Sequence, residues 1–339
     1  MPLKDVTVNI NVNNPGGTVG FGKPLIVGEK TGAHPYTEYV SLEALTKDFD
    51  DTTDIHAKAK AIFSQEHRPA RVAVAAFDSA SVEPDAPTTA ADLVDSLISE
   101  DWYFLVTTVT DPLDITDVAN AIETADTNKP PKLYSAQVTT ATDATSIGSL
   151  DRTFVAVHPA DEHIDAAIVG EGGAQEVGSI TWQGLQLTGI TPQKLKANDL
   201  AQIEDANAYA YVKKAGEPVT SEGKVLSGEY IDVMHGKDWI EANIEQRVQK
   251  IKNQAGKIPY TDGGISTLET GVLAVLKTGF NQGIIASDEG GNPISSTSFL
   301  SRAETSKEDR ALRRYNGGSF SFELAGAIHS AEIQGSISY

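Results

Sequence analysis

The sequence predicts a mixed fold: a parallel α/β unit, then an α+β unit, with an extended β segment at each end. Three observations carry this. Apolar strand runs alternate with helical stretches from about residue 53 to 169, the pattern of a parallel sheet with right-handed crossovers. Two long amphipathic helices follow, between 236 and 279. Both ends alternate apolar and polar residues at period two, beside glycine-rich hinges.

At the N-terminal end, Val6, Val8, Ile10 and Val12 alternate with Thr7, Asn9 and Asn11, and Asn14-Pro15-Gly16-Gly17 closes the strand. A second strand is expected over Val19–Val27, then a helix over 53–64. Arg71–Phe77 reads as a buried strand, Thr89–Glu100 as a helix with Leu93, Leu97 and Ile98 on one face, and Trp102–Thr107 as a strand. Helix Ile115–Thr124, strands Lys132–Val138 and Phe154–His158, and a helix over Ile164–Val169 continue the alternation. The glycine-rich stretch Gly170–Gly189 is expected to break it. A short helix near Asn198–Ala206 and strands near Tyr209–Lys213 and Lys224–Val233 come next. The helix over Gly236–Gln254 places Ile240, Ile244, Val248 and Ile251 at helical spacing. Asp238 and Glu241 near its start and Lys250 and Lys252 near its end suit the helix dipole, and Gly256 suits its C-terminal cap. A second helix, Ile265–Gly279, turns Leu268, Val272, Val275 and Leu276 inward. Asn316-Gly317-Gly318 is a hinge, after which Phe320, Phe322 and Leu324 alternate with Ser321 and Glu323. The phase then slips, with Ile328 next and Ile333 and Ile337 at odd positions, and Gly326 and Gly335 are placed to absorb the slip.

Composition narrows the function. The 339 residues suffice for two domains, at 40% hydrophobic and 22% charged content. A net charge of −20 argues against nucleic acid and anionic membranes as generic partners. With no cysteine, disulfides, thiolate catalysis and cysteine-based zinc sites are excluded. No stretch approaches the roughly 20 apolar residues of a membrane span, and MPLKDVTVNINV lacks the apolar core of a signal peptide.

Little catalytic chemistry is legible. Gly28-Glu-Lys-Thr-Gly32 and Gly170-Glu-Gly-Gly173 match no phosphate-binding pattern and read as loops. His158-Pro-Ala-Asp161-Glu162-His163 has metal-ligand residue types but reads as a strand-to-helix turn, with Asp161 and Glu162 in the helix's first turn. Asp262-Gly-Gly264 and Asp288-Glu-Gly-Gly291 lack the spaced carboxylates of a calcium loop and read as turns. No nucleophile elbow is present. The expectation is no catalytic residue, no cofactor and no metal.

The stretch Ile180–Ala286 carries a resemblance. Gly189, Pro192, Asn207, Tyr209, Tyr230-Ile-Asp232, Asp238-Trp239, Ile258-Pro-Tyr-Thr-Asp-Gly-Gly264, Gly279 and Gly283, with Ala325-Gly-Ala-Ile-His329, resemble the C-terminal domain of contractile phage tail sheath proteins. Over 30–175 the likeness is one of architecture. The resemblance implies an N-terminal arm at 1–18, a variable α/β outer domain at 19–178, an α+β sheath core domain at 179–316 and a C-terminal arm at 317–339. It also implies that subunits polymerise helically around an inner tail tube, meet baseplate and tail terminator proteins, and contract to drive the tube through a target envelope. Such a protein is assembled in the bacterial host cytoplasm and resides in the virion tail, without nucleic-acid binding or direct membrane insertion.

On this reading Val6, Val8, Ile10 and Val12, and Phe320, Phe322, Leu324, Ile328, Ile333 and Ile337, form arms donated to neighbours by β-augmentation. Roughly 20 extended residues reach on the order of 65 Å. The alternative is that the arms pair with each other or with the home sheet. Arg247, Lys250, Lys252 and Lys257 form a candidate tube-facing cluster; the plain alternative is dipole matching at a solvated helix end. Two other functions stay open. One is the sheath of a headless injection system or bacteriocin. The other is a soluble α/β enzyme with a site near Asp78, Thr108 and His158.

Overall fold

The computed structural model of the chain describes residues 21–124 and 130–329. The expected Val6–Val12 strand lies outside the described residues, as do Ile333 and Ile337. A six-stranded sheet forms the centre. Its strands are β1 (Pro24–Glu29), β2 (His34–Tyr39), β3 (Val72–Phe77), β4 (Phe104–Thr107), β5 (Leu133–Val138) and β6 (Thr153–Val157), in the order β2-β3-β1-β4-β5-β6. Every pair is parallel except β2 on β3 at one edge. The inner strands read as unbroken apolar runs because both of their faces are covered. In β1, Leu25 and Val27 enter one core while Ile26 enters the other.

Helices α1 (Leu42–Leu45), α2 (Asp54–Phe63) and α6 (Ile164–Gly172) cover one face. The opposite face lies under α3 (Ala90–Leu97), α4 (Pro112–Glu123), α5 (Ala141–Ile147) and α7 (Ala197–Asp205). Threonine opens several of these helices. Thr53, Thr89 and Thr140 each accept a hydrogen bond from the backbone N–H three residues on, which satisfies an otherwise orphaned donor. The α3–α4 side is rich in acidic residues. Asp92, Asp95, Asp111, Asp114 and Asp117 are exposed there, and no Lys, Arg or His occurs between Arg71 and Lys129.

The rest of the chain is α+β, as expected. A hairpin of β7 (Tyr211–Lys214) and β8 (Glu217–Thr220) precedes the long antiparallel pair α8 (Ile231–Gln254) and α9 (Asp262–Asn281). Strands β9 (Ser295–Phe299) and β10 (Gly318–Phe322) flank the short α10 (Lys307–Ala311). Gly256, with φ +59°, follows the last turn of α8 as its cap.

Two expectations fail for identifiable reasons. No strand runs over Lys224–Val233. Lys224 and Tyr230 form a single antiparallel bridge around Gly228, and α8 begins at Ile231. Val225, Leu226 and Ile231 are apolar because a tight turn tucks them into the core, not because they alternate. Nor does Gly170 open a loop, since α6 continues through Gly172. Its glycines permit close approach. A Cβ on Gly170 would lie 2.8 Å from the Cα of Ile62 in α2, and one on Gly172 would strike the Trp182 ring.

The core does not stop at residue 178. Trp182, 1% exposed, packs its ring against Phe104 and Phe154 at centroid distances of 5.2 and 5.9 Å. His235 of α8 stacks on Tyr103 at 4.9 Å. Asp238 of α8 accepts hydrogen bonds from the Tyr103 hydroxyl, at 2.7 Å, and from the Arg152 guanidinium beside β6. The long helices are therefore tied to the sheet by aromatic packing and by a buried ion pair.

Candidate assembly interface

Strands β9 and β10 pair antiparallel, with Phe320 opposite Thr297, in a sheet of two strands among the described residues. Thr297 and Phe299 share a face with Phe320 and Phe322, and this face turns toward α9, where Thr297 donates to Glu269. The other face is serine: Ser296 and Ser298 on β9, Ser319 and Ser321 on β10. Hydrogen bonds from Leu300 N–H to Gly317 and from Glu323 N–H to Ile294 set the phase of the ladder. In that phase Gly318, Phe320 and Phe322 aim their backbone groups at one open edge, and Thr297 and Phe299 aim theirs at the other. None of these N–H groups bonds to backbone elsewhere among the described residues. Neither strand carries a charge or a proline. Edges protected against pairing use such residues, and two strands alone are marginal. Among the described residues, both edges of this sheet are unpaired.

The expected arm residues are thus divided. Phe320 and Phe322 pair with the chain's own β9, which is the home-sheet alternative for this stretch. Leu324 bridges to Ile285 and packs on the core, while Ile328 is 89% exposed.

Arg247, Lys250 and Lys257 are exposed and Lys252 is half-buried. At roughly 100° per residue, Lys252 is turned roughly 140° from Arg247 and roughly 160° from Lys250. The α8 cations therefore sit on both flanks of the Ile244–Val248–Ile251 stripe rather than on one face. That stripe packs on α9, where the Ile251 side chain fills the space beside Gly271.

The alternative enzyme residues do not converge. Asp78, Thr108 and His158 follow β3, β4 and β6, and β3 stands four positions from β6, roughly 19 Å at sheet spacing. Asp78 accepts from Gly32 and Ala80 N–H in a turn. His158 is buried and meets Glu162 at 2.8 Å. Burial pushes the Glu162 carboxyl up, but hydrogen bonds from Thr191 and His158 outweigh this and hold it below its usual range. The 158–163 stretch is the expected turn, although Asp165, not Asp161 or Glu162, occupies the first turn of α6. Asp288 accepts from Gly290 and Asn292 N–H, again a turn, whereas Asp262 begins α9. Among the described residues no group of three His, Cys, Asp or Glu is placed to hold a metal ion.

Comparisons with known proteins bear on this geometry. Residues 231–337 match the family model described as E217 tail sheath protein gp31-like, C-terminal domain. A chain of the anti-feeding prophage baseplate superposes with a TM-score of 0.72 at 12% identity, covering 94% of both chains. The helical sheath of the anti-feeding prophage in its contracted state gives 0.68 at 14% identity, covering 97% of this chain and 98% of that one.

The fold is that of contractile sheath subunits.

The contracted PVC sheath complex of an extracellular contractile injection system gives 0.69 at 9% identity, over 94% and 92% of the two chains. No curated protein sequence matches. The resemblance to tail sheaths and the mixed α/β and α+β architecture are borne out.

Proposed function

We propose that the chain is the structural subunit of a contractile tail sheath. Copies polymerise helically around an inner tube, on a baseplate and below a tail terminator, and contract to drive the tube through a target envelope. The role is mechanical rather than enzymatic. The β9–β10 sheet, unpaired on both edges among the described residues and set within a sheath fold, is the observation that carries the reading. Each copy accepts strands from neighbours there. Strand donation from one copy to the next is a head-to-tail contact, which closes into rings or propagates as a helix. Cations on both flanks of α8 meet an acidic tube, with Arg247 and Lys250 on one side and Lys252 on the other. The particle is a phage-like tail, assembled in a bacterial cytoplasm. The fold shared with the sheaths of an anti-feeding prophage and of an extracellular contractile injection system supports a headless particle as the second reading.

Negative-stain electron microscopy of the concentrated chain, alone and with its tube protein, tests this. Hollow striated tubes are expected. Phe320→Pro removes an open-edge N–H and no ladder bond, so it should keep the fold and abolish the tubes. Discrete particles from the unmodified chain even with the tube present would refute the proposal.

A further inference from the structure

The chain beyond β10 does not leave its subunit at once. Ala325 N–H donates to Ile284 at 2.9 Å, and Ala286 N–H donates to Glu323 at 2.8 Å. Residues 324–327 line a groove of about 260 Å³ together with residues 178–181, 232–233 and 283–284. The groove needs glycine on its floor: a Cβ on Gly178 would lie 2.7 Å from the Ile284 side chain and 2.8 Å from the Gln282 carbonyl. His329 closes the run. Its Nε2 meets the Thr181 hydroxyl, its ring stands edge-on to Tyr230 at 4.7 Å, and its Nδ1 lies 3.5 Å from Glu222. Ile328, one residue earlier, points outward and is 89% exposed.

We infer that residues 323–329 are a fixed strap of the home subunit, latched by His329, and that only the chain from residue 330 onward is available to a second copy. Three elements hold the strap: the 178–181 segment, the start of α8, and the 283–286 segment after α9. The strap's position follows from these contacts alone, whereas the role of the onward chain rests on the sheath reading above. A load on the donated strand is borne at the latch rather than at the β9–β10 ladder, so β10 keeps its register while neighbours move.

The chain has no cysteine, so engineered thiols report without background. Two full-length variants are used with a short bifunctional thiol crosslinker. Ile285→Cys with Leu324→Cys keeps the latch, and Thr181→Cys with His329→Cys probes the latch itself. Both are expected to link within one chain, before and after assembly. Adding His329→Ala to the first pair should slow its linkage about fivefold, as expected for loss of one hydrogen bond. Ladders of linked chains on assembly, or failure of the Ile285→Cys/Leu324→Cys pair to link in the isolated chain, would overturn the strap. An unchanged rate with His329→Ala would overturn the latch. Intrachain linkage in a chain that never polymerises would uphold the strap and refute the sheath reading instead.

Discussion

Asp238→Ala should unlock the long helices from the sheet. Asp238 is 1% exposed and accepts from Tyr103 and from Arg152, whose side chain is 19% exposed. Burial, and then the Asp238 charge, drive the Tyr103 phenol far above its usual range, so it remains a hydrogen-bond donor. Removing the carboxylate strands a guanidinium and a hydroxyl. Breaking a buried pair from one side costs about 3–5 kcal/mol, and the partial exposure of Arg152 places this case near 3. At about 2.1 cal/mol/K per residue, 339 residues give an unfolding entropy of about 0.7 kcal/mol/K. The melting temperature should therefore fall by about 4 °C. Urea titration followed by tryptophan fluorescence reads this directly, because Trp182 and Trp239 lie in the same core. Arg152→Met added to Asp238→Ala should recover part of the loss, since it removes the stranded charge. A single-mutant loss below about 1 kcal/mol, or strictly additive losses, would refute the reasoning.

Stability should also depend on pH through two buried bases. Burial, opposed by the Phe21 carbonyl, lowers His235 to about 4. The unfolded chain then binds the extra proton between pH 6.5 and 4, and stability should drop by about 3 kcal/mol as pH falls through that window; His235→Phe should flatten the drop in acid melts. Burial likewise lowers Lys132 to about 7, beneath the Trp102 ring and the Glu100 carbonyl. Stability should rise with pH from 7 to 10.5, a slope that Lys132→Met removes. Gly170→Ala gains up to about 1 kcal/mol of helix propensity but forces α6 off α2, which costs about 1–3 kcal/mol; net destabilisation in urea is expected, and a stabilised variant would contradict the close approach. Arg247→Glu with Lys250→Glu should weaken co-sedimentation with the tube, whereas unchanged binding would remove α8 from that contact.

The parallel strands were legible because burial on both faces writes a continuous apolar run, as in Val72–Phe77. The long helices were legible from Ile240, Ile244, Val248 and Ile251. What escaped was short or polar: β2, α1, α5, β8, β9 and α10. In β9, Ser-Ser-Thr-Ser-Phe has no apolar period to read, because one face awaits no core and the strand is held by pairing. Glycine misled at 170–172, where local rules mark a loop while tertiary packing demands a missing side chain. The home pairing of Phe320 was equally hidden. Alternation shows that a strand has two faces but not which sheet takes it.

The acid-rich side under α3 and α4 gives the molecule a direction. Two copies pressed together there would bring the exposed Asp92, Asp111, Asp114 and Asp117 of each within the roughly 8 Å Debye length of physiological salt. Association is therefore steered toward the remaining surfaces. Any polymer that leaves this side outward carries a sheath of counterions that holds neighbouring filaments apart, so single particles stay dispersed at concentrations where uncharged filaments would bundle.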